Sequence, residues 1–230
     1  MTNGILYDSM PLFMIATPIG HLKDITYRAV ETLANSDLII CEDTRVTSKL
    51  LAAYHITKSL WALHEHSKPG QITKIIGELQ RGKRLCYVSD AGTPGVNDPG
   101  GKLVAAAYEA GMMVVPIPGP SALTSAISVC GFPMDDFSYH GFAPHKKGRA
   151  SFFRMISENP RPSVFFESTH RIHKALVALA IALDPNRLIF IGREMTKLHE
   201  TLYRGTIGDV QRWIGETSMK GEFVIILGPR

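Results

Sequence analysis

L-C-Y-V-S-D-A-G-T-P-G-V-N-D-P-G, residues 85–100, sets the frame for the whole chain. Its first four residues are a short apolar run of the kind that forms a strand buried on both faces. The twelve that follow form a polar loop in which Gly and Pro let the backbone approach a ligand while Ser, Thr and Asp orient it. From about Pro99 an alanine-containing stretch runs to Gly111, with Asp98 and Pro99 placed to start a helix and Gly111 to end it. Strand, loop and helix in that order make one unit of an α/β sheet. Two more loops of the same composition follow strand-like runs, A-T-P-I-G at 16–20 and P-G-P-S-A at 118–122, and three such loops point to one shared ligand.

Working outward, short apolar runs ended by turn residues predict strands at 12–16, Leu38–Cys41, 60–63, Leu85–Val88 and 113–117. Helical stretches separate them. The clearest has Ile72, Ile75, Ile76 and Leu79 on one face, with Pro69 near its start and Gly82 after its end. Apolar strands joined by such helices predict a parallel sheet covered on both faces. Around Gly131-Phe132-Pro133 the pattern breaks, then alternates again. It predicts a strand at 164–166, a helix carrying Ile172, Ala175, Leu176 and Leu179, strands at 188–191 and 223–227, and a short antiparallel strand at 200–204. The expected organisation is an N-terminal parallel α/β domain over residues 10–131 and a second α/β domain over residues 134–230, with a cleft between them. No internal repeat or low-complexity tract is visible.

Composition excludes several classes. With 230 residues, 45% hydrophobic and 20% charged, the chain has enough apolar content for one large or two modest cores, so disorder is not expected. No apolar run approaches the roughly 20 residues that span a bilayer, and the first ten residues lack a secretion signal, which predicts a cytoplasmic protein without membrane partners. The three cysteines, Cys41, Cys86 and Cys130, are dispersed among apolar neighbours and read as small core residues of a reducing compartment. A formal net charge of +4 and a pI near 9.0 favour a polyanionic partner without requiring one.

The loops at 17–24, 42–45, 64–66, 89–98 and 118–122 each follow a predicted strand, so a parallel sheet brings all five to the edge where open α/β sheets bind ligands. Familiar phosphate motifs fail at that edge. No G-x-G-x-x-G follows the first strand, and in G-V-N-D-P-G-G-K-L (95–103) the lysine stands one residue too late while Leu103 replaces the metal-binding hydroxyl of a P-loop. His64-x-His66 and His170-x-x-His173 lack a matching third ligand, so no metal is expected. No G-x-S-x-G elbow or activated cysteine marks a covalent nucleophile.

Seven ordered motifs carry a resemblance: T-P-I-G-H-L-K-D (17–24), C-E-D-T-R (41–45), S-D-A-G-T-P-G-V-N-D-P-G (89–100), P-G-P-S-A (118–122), F-F-E-S-T-H-R (165–171), R-E-M-T-K-L-H-E (193–200) and K-G-E-F (220–223). Together they resemble the tetrapyrrole methylase superfamily. Within it they are most similar to the ribosomal RNA small subunit methyltransferase I family, whose members 2′-O-methylate a cytidine of the decoding region. The resemblance implies two α/β domains of the tetrapyrrole methylase type with a cofactor cleft between them, S-adenosylmethionine as cofactor, small-subunit (16S) ribosomal RNA or the 30S subunit as partner, and a homodimer. It further implies that Pro18, Ser89, Asp90, Ala91, Gly92, Ser121 and Ala122 line the cofactor, with Phe166 approaching from the second domain. A sulfonium cofactor carries no phosphate, so backbone groups, small side chains and apolar walls suffice to hold it. Asp90 either adds an electrostatic contribution or holds its own loop.

Methyl transfer to a ribose hydroxyl needs in-line alignment, helped by a base for the weakly acidic proton or a cation for the developing oxyanion. Glu167 and Lys197 are the catalytic candidates, as proton acceptor and as oxyanion-stabilising or orienting group, and the two roles are interchangeable at this stage. Arg193, Lys197 and Glu200 form surface ion pairs in the alternative reading. Arg45, Lys146, Lys147, Arg149, Arg171 and Arg193 are the candidate RNA phosphate contacts, with Phe142 or His64 to stack on a splayed base. Two departures from the family pattern stand out. His21 replaces the usual Asn of the first loop, and the chain stops at Arg230 where family members continue into a small helical domain, which points to a truncated chain or a short relative with another substrate. The alternatives to ribosomal RNA methylation are a superfamily methyltransferase with a non-RNA substrate and a noncatalytic RNA- or ribosome-binding protein.

Overall fold

A computed structural model describes residues 10–68, 70–210, 212–213 and 218–230. Pro69, expected near a helix start, lies outside the described residues. The chain divides between Ser121 and Ala122 into two compact units.

In the first unit β1 (Leu12–Ile15), β2 (Leu38–Cys41), β3 (Leu60–Ala62), β4 (Leu85–Val88) and β5 (Val114–Ile117) form an all-parallel sheet in the order β3-β2-β4-β1-β5. Every residue of β1, β2 and β4 is buried, which explains why these strands read as continuous apolar runs. Alternate side chains face opposite layers. Leu12, Met14, Leu38, Ile40, Leu85 and Tyr87 join the apolar faces of α3 (Gln71–Gln80) and α4 (Gly100–Glu109). Phe13, Ile15, Ile39, Cys41, Cys86 and Val88 join α1 (Tyr27–Ala34) and α2 (Thr44–Ala53). In α3 the expected stripe is real: Ile75 and Leu79 are fully covered, each contributing about 1.5–3 kcal/mol of burial. Pro116 interrupts β5 without harm, because β5 is an edge strand paired only with β1 and a missing N–H there costs no ladder bond.

The second unit holds α5 (Ala122–Cys130), β6 (Ser138–Phe142), α6 (Arg149–Glu158), β7 (Ser163–Ser168), α7 (Ile172–Ala182), β8 (Leu188–Arg193), β9 (Thr201–Thr206) and β10 (Glu222–Leu227). Its sheet runs β6-β7-β10-β8-β9. β6 and β7 are parallel, and β10 is antiparallel to both β7 and β8. The strand anticipated near residues 200–204 is β9, antiparallel to β8 as its short connection requires. α5 packs against β10 and so belongs with this unit, whereas the sequence pattern carried the first domain on to residue 131. β6 was not foreseen: S-Y-H-G-F is neither apolar nor alternating, and it pairs at the sheet edge with a register shift between Tyr139 and Phe142. α6 is a second element that the sequence pattern does not predict, because the basic run Lys146, Lys147 and Arg149 stands at its start.

Candidate functional site

Because the first sheet is all parallel, the loops after its five strands leave the same edge. α1 and α2 lie on one face and α3 and α4 on the other, so the chain leaves the neighbouring strands β1 and β4 toward opposite faces, the arrangement at which open α/β sheets bind ligands. The loops there are fastened to one another. Thr17 and Gly92 form an isolated antiparallel bridge, each N–H donating to the other's carbonyl at 3.0 Å. The Thr17 hydroxyl donates to the Ser89 carbonyl at 3.3 Å, and the Ser89 hydroxyl turns inward to the Ala91 carbonyl at 3.3 Å. The Thr93 hydroxyl donates to the Pro120 carbonyl at 3.0 Å, which ties in the loop after β5. Pro18, Ser89 to Gly92 and Ser121 are therefore brought together, and Ala122 follows Ser121 in the chain.

Gly92 is required here. Its φ is +80°, and a Cβ would sit 3.3 Å from Ile19 Cγ2 and 3.7 Å from the Pro120 carbonyl oxygen. Beyond it, Asp98 organises the loop's second half: its carboxylate accepts the N–H groups of Gly95 at 2.7 Å, Val96 at 3.1 Å and Gly100 at 2.7 Å. The last of these satisfies the first N–H of α4 from the residue before its N-cap position, Pro99. The Tyr87 phenol reaches the same carboxylate at 3.3 Å, and burial followed by the charge of Asp98 pushes that phenol's pKa upward. In the first loop, Nδ1 of His21 accepts the Lys23 N–H at 3.2 Å, capping the short 3-10 turn Leu22–Asp24 as an Asn side chain would.

The loops after β2 and β4 exchange a second pair of bonds. The Asp90 N–H donates to Glu42 Oε2 and the Asp43 N–H to Asp90 Oδ1, each at 3.0 Å. Loss of water contacts is the main reason that both carboxyl groups titrate above their ordinary values, and each also feels the charge of an acidic neighbour. On acidification the pair therefore takes up protons before carboxylates that titrate at their ordinary values. Sequence reading singled out Asp90 but not Glu42 or Thr17. Their motifs were visible, but which strands are neighbours was not. Burial pushes the Cys86 thiol up to about 12 and raises that of Cys41 as well, so neither supplies a nucleophile.

In the second unit Glu167 is fully buried. Its Oε2 accepts Arg149 Nη2 at 2.7 Å, and its Oε1 lies 2.9 Å from Arg171 Nε and accepts the Ser168 N–H at 2.9 Å. Arg149 also donates to the carbonyls of Pro144 and Arg171 and stacks over Phe153. Arg171 donates to the Ser168 hydroxyl and the Ala143 carbonyl. Arg193, likewise buried, donates to the carbonyls of Lys220 at 2.6 Å and His199 at 2.8 Å. These three arginines, expected to meet RNA phosphate, are instead spent inside the unit, where they satisfy carbonyls and one buried carboxylate that would otherwise be unpaired. Glu167 has no solvent access, and both of its oxygens are engaged, Oε2 by Arg149 and Oε1 by Arg171 and Ser168.

Lys197 sits differently. Its ammonium donates to Glu194 Oε1 at 3.0 Å and Glu222 Oε2 at 2.9 Å, rather than pairing with Glu200. Burial opposes its charge, but the bonds and charges of Glu222 and Glu194 outweigh burial and raise its pKa, so it stays protonated well past neutrality. The turn carrying it is strained, with Glu194 at φ +49° and Thr196 at φ +65°, the latter an outlier for a β-branched residue. The Thr196 Oγ1 is buried without a hydrogen-bond partner among the described residues.

Phe166 meets Tyr139 and Phe142 edge-on, at centroid distances of 5.4 and 5.6 Å. Phe142, Lys146, Lys147 and Arg45 are exposed, Arg45 while paired with Asp43. Among the described residues no group of three or more His, Cys, Asp or Glu side chains is arranged to hold a metal ion, and no helix is long and apolar enough to cross a membrane.

The sequence pattern of the tetrapyrrole (corrin/porphyrin) methylases matches residues 11–211. The chain is 43% identical over 219 residues to ribosomal RNA small subunit methyltransferase I of Escherichia coli O157:H7, covering 94% of this chain and 77% of that protein. With the protein of the same name from Mesorhizobium japonicum it shares 44% identity over 220 residues, covering 95% and 75%. The crystal structure of uroporphyrin-III-C-methyltransferase from Thermus thermophilus has the same fold, with a TM-score of 0.66 at 16% identity and coverage of 95% of this chain and 94% of that one.

Proposed function

We propose, from the premise that this chain belongs to the tetrapyrrole methylases and within them to the ribosomal RNA small subunit methyltransferase I family, that it transfers a methyl group from S-adenosylmethionine to small-subunit ribosomal RNA, at the 2′-hydroxyl of a cytidine ribose. The observation that carries the cofactor half is the mutual pinning of the loops at Thr17, Ser89 to Thr93 and Pro120. Their surface is backbone and small side chains, and Gly92 lets the loops close against Ile19 and Pro120. That suits a ligand with apolar and amide-sized groups and no phosphate. The Glu42–Asp90 pair adds negative charge suited to a sulfonium.

When bound, the cofactor supplies an electrophilic methyl group. Pro18, Ser89, Asp90, Ala91, Gly92, Ser121 and Ala122 hold it, and Phe166 offers an apolar contact. Lys197, kept cationic by Glu194 and Glu222, orients the acceptor oxygen and stabilises negative charge that develops on it as its proton leaves. Glu167 acts at one remove, holding Arg149 and Arg171 so that the ends of β7 and α6 keep their positions. Alignment supplies most of the acceleration, since effective molarities of about 10⁵–10⁸ M are open to a well-oriented pair. Arg45, Lys146 and Lys147 are exposed and available to RNA phosphate. The protein acts as a homodimer in the cytoplasm in this reading.

The test is methyl transfer from radiolabelled S-adenosylmethionine to purified small ribosomal subunits, with the modified nucleotide mapped. Label on one cytidine ribose is the expected result. Label on a base rejects the chemistry, and cofactor binding with no labelled RNA moves the acceptor to another substrate class.

A further inference from the structure

The first sheet carries a groove along its edge strand β3 and the loop that follows it. Two adjoining cavities of about 550 and 190 Å³ share His64, Ser67, Lys68 and Gln71. The walls combine half-buried Trp61 and the exposed imidazoles of His64 and His66 with three exposed lysines, Lys68, Lys74 and Lys102. One carboxylate, Glu65, faces these cations, and none of the three lysines is in an ion pair among the described residues. The segment is fastened at both ends: the His64 N–H donates to the Ser67 hydroxyl at 2.9 Å, and Gln71 Nε2 donates to the Ala62 carbonyl at 3.2 Å. β3 is an edge strand, so no further strand of its sheet covers Trp61.

Flat aromatic faces interleaved with uncompensated cations are what a single-stranded nucleic acid needs, the rings taking bases and the ammonium groups taking phosphates. The groove lies two strand positions from β4, about 10 Å at the usual inter-strand spacing, and opens to the same edge as the Ser89 to Gly92 loop. We infer that this groove binds single-stranded ribosomal RNA flanking the methylated nucleotide, an inference that rests on the RNA-methylating reading above. It also answers where substrate affinity comes from when Arg149, Arg171 and Arg193 are spent internally. The resulting division of labour has the β3 edge gripping a neighbouring stretch of strand while the reacting ribose is aligned elsewhere.

The experiment compares wild type with Lys68→Glu/Lys74→Glu and, separately, His66→Ala, all exposed positions, in binding purified small subunits across a salt series. The charge reversal should weaken binding at least tenfold near 0.15 M salt. It should also make the slope of log affinity against log salt shallower by about 1.4, the value for two single-strand phosphate contacts. His66→Ala should cost about 5- to 150-fold, as for one stacked base. S-adenosylmethionine affinity and the melting temperature should stay at wild-type values. Unchanged affinity and slope in both variants, with the wild type still methylating subunits, would overturn the groove alone. A wild type that labels no ribosomal RNA overturns the reading beneath it. Weaker binding to intact subunits but not to protein-free ribosomal RNA assigns the groove to a ribosomal protein and overturns the RNA assignment.

Discussion

Gly92 and Gly95 lie three residues apart in one loop, both at positive φ, and replacing each by Ala separates backbone strain from crowding at the proposed cofactor site. At Gly92 the φ is +80° and the new Cβ would stand 3.3 Å from Ile19 Cγ2, with Pro120 O at 3.7 Å and Ser121 Cα at 3.9 Å. At Gly95 the φ is +89° and nothing lies within 4 Å. The left-handed conformation costs a non-glycine residue about 1–2 kcal/mol in either place. For a chain of this length that is a fall in Tm of about 2–8 °C, shared by both variants. Only Gly92→Ala also pushes on Ile19, and it does so beside the two 3.0 Å bonds that lock Thr17 to Gly92. Its affinity for S-adenosylmethionine should therefore fall at least tenfold, about 1.4 kcal/mol, while Gly95→Ala binds as wild type does. Calorimetric titration gives the affinities and thermal melts the shared strain. Equal cofactor affinity in the two variants, with equal loss of Tm, would refute the placing of the cofactor against this loop.

Glu167→Gln should destabilise the protein by about 3–5 kcal/mol in urea unfolding, because two half-buried guanidinium groups lose their counter-charge; a fold of unchanged stability with lost activity would restore Glu167 to the chemistry. Lys197→Met should lower kcat by about 10²–10³-fold without altering cofactor affinity, as expected for a group that acts on charge developed in the transition state, and a kcat within twofold of wild type would remove Lys197 from the reaction. Cofactor affinity should also depend on pH. Glu42 and Asp90 titrate above ordinary carboxyl groups, so on acidification they take up protons early and their attraction for a sulfonium is lost while most surface carboxylates remain ionised. Affinity measured downward from neutral pH should begin to fall above the ordinary carboxylate range, and Glu42→Gln should flatten the profile.

Much of the first unit was legible because its strands are buried on both faces, which leaves a continuous apolar signal in Leu38–Cys41 and Leu85–Val88 that polar loops punctuate sharply. The second unit was harder to read. β6 is a polar edge strand, and α6 begins at a residue, Arg149, whose charge draws attention away from the apolar Phe152, Phe153 and Ile156 behind it. The placement of Arg149, Arg171 and Arg193 is hidden from sequence for a related reason. An arginine in a motif looks the same in sequence whether it faces solvent or a buried carboxylate. Only the pairing of β7 with β10 and of β10 with β8, which sets Glu167 and Arg193 on either side of Phe223, shows that both are interior.

Local chemistry is written along the chain: Gly and Pro at the loop turns, Asp98 just ahead of a helix, apolar periods of two and of three to four, and seven motifs in family order. Those are short-range properties, set by each residue's own backbone preferences and its near neighbours. Which strands lie side by side is not. The order β3-β2-β4-β1-β5 brings Thr17 against Gly92 and Glu42 against Asp90 across 75 and 48 positions of sequence, and antiparallel β10 places Glu222 beside Lys197. Long-range pairings of this kind depend on how whole faces pack. Residue type alone leaves open whether a carboxylate or guanidinium meets a ligand or closes a core, and tertiary structure decides it.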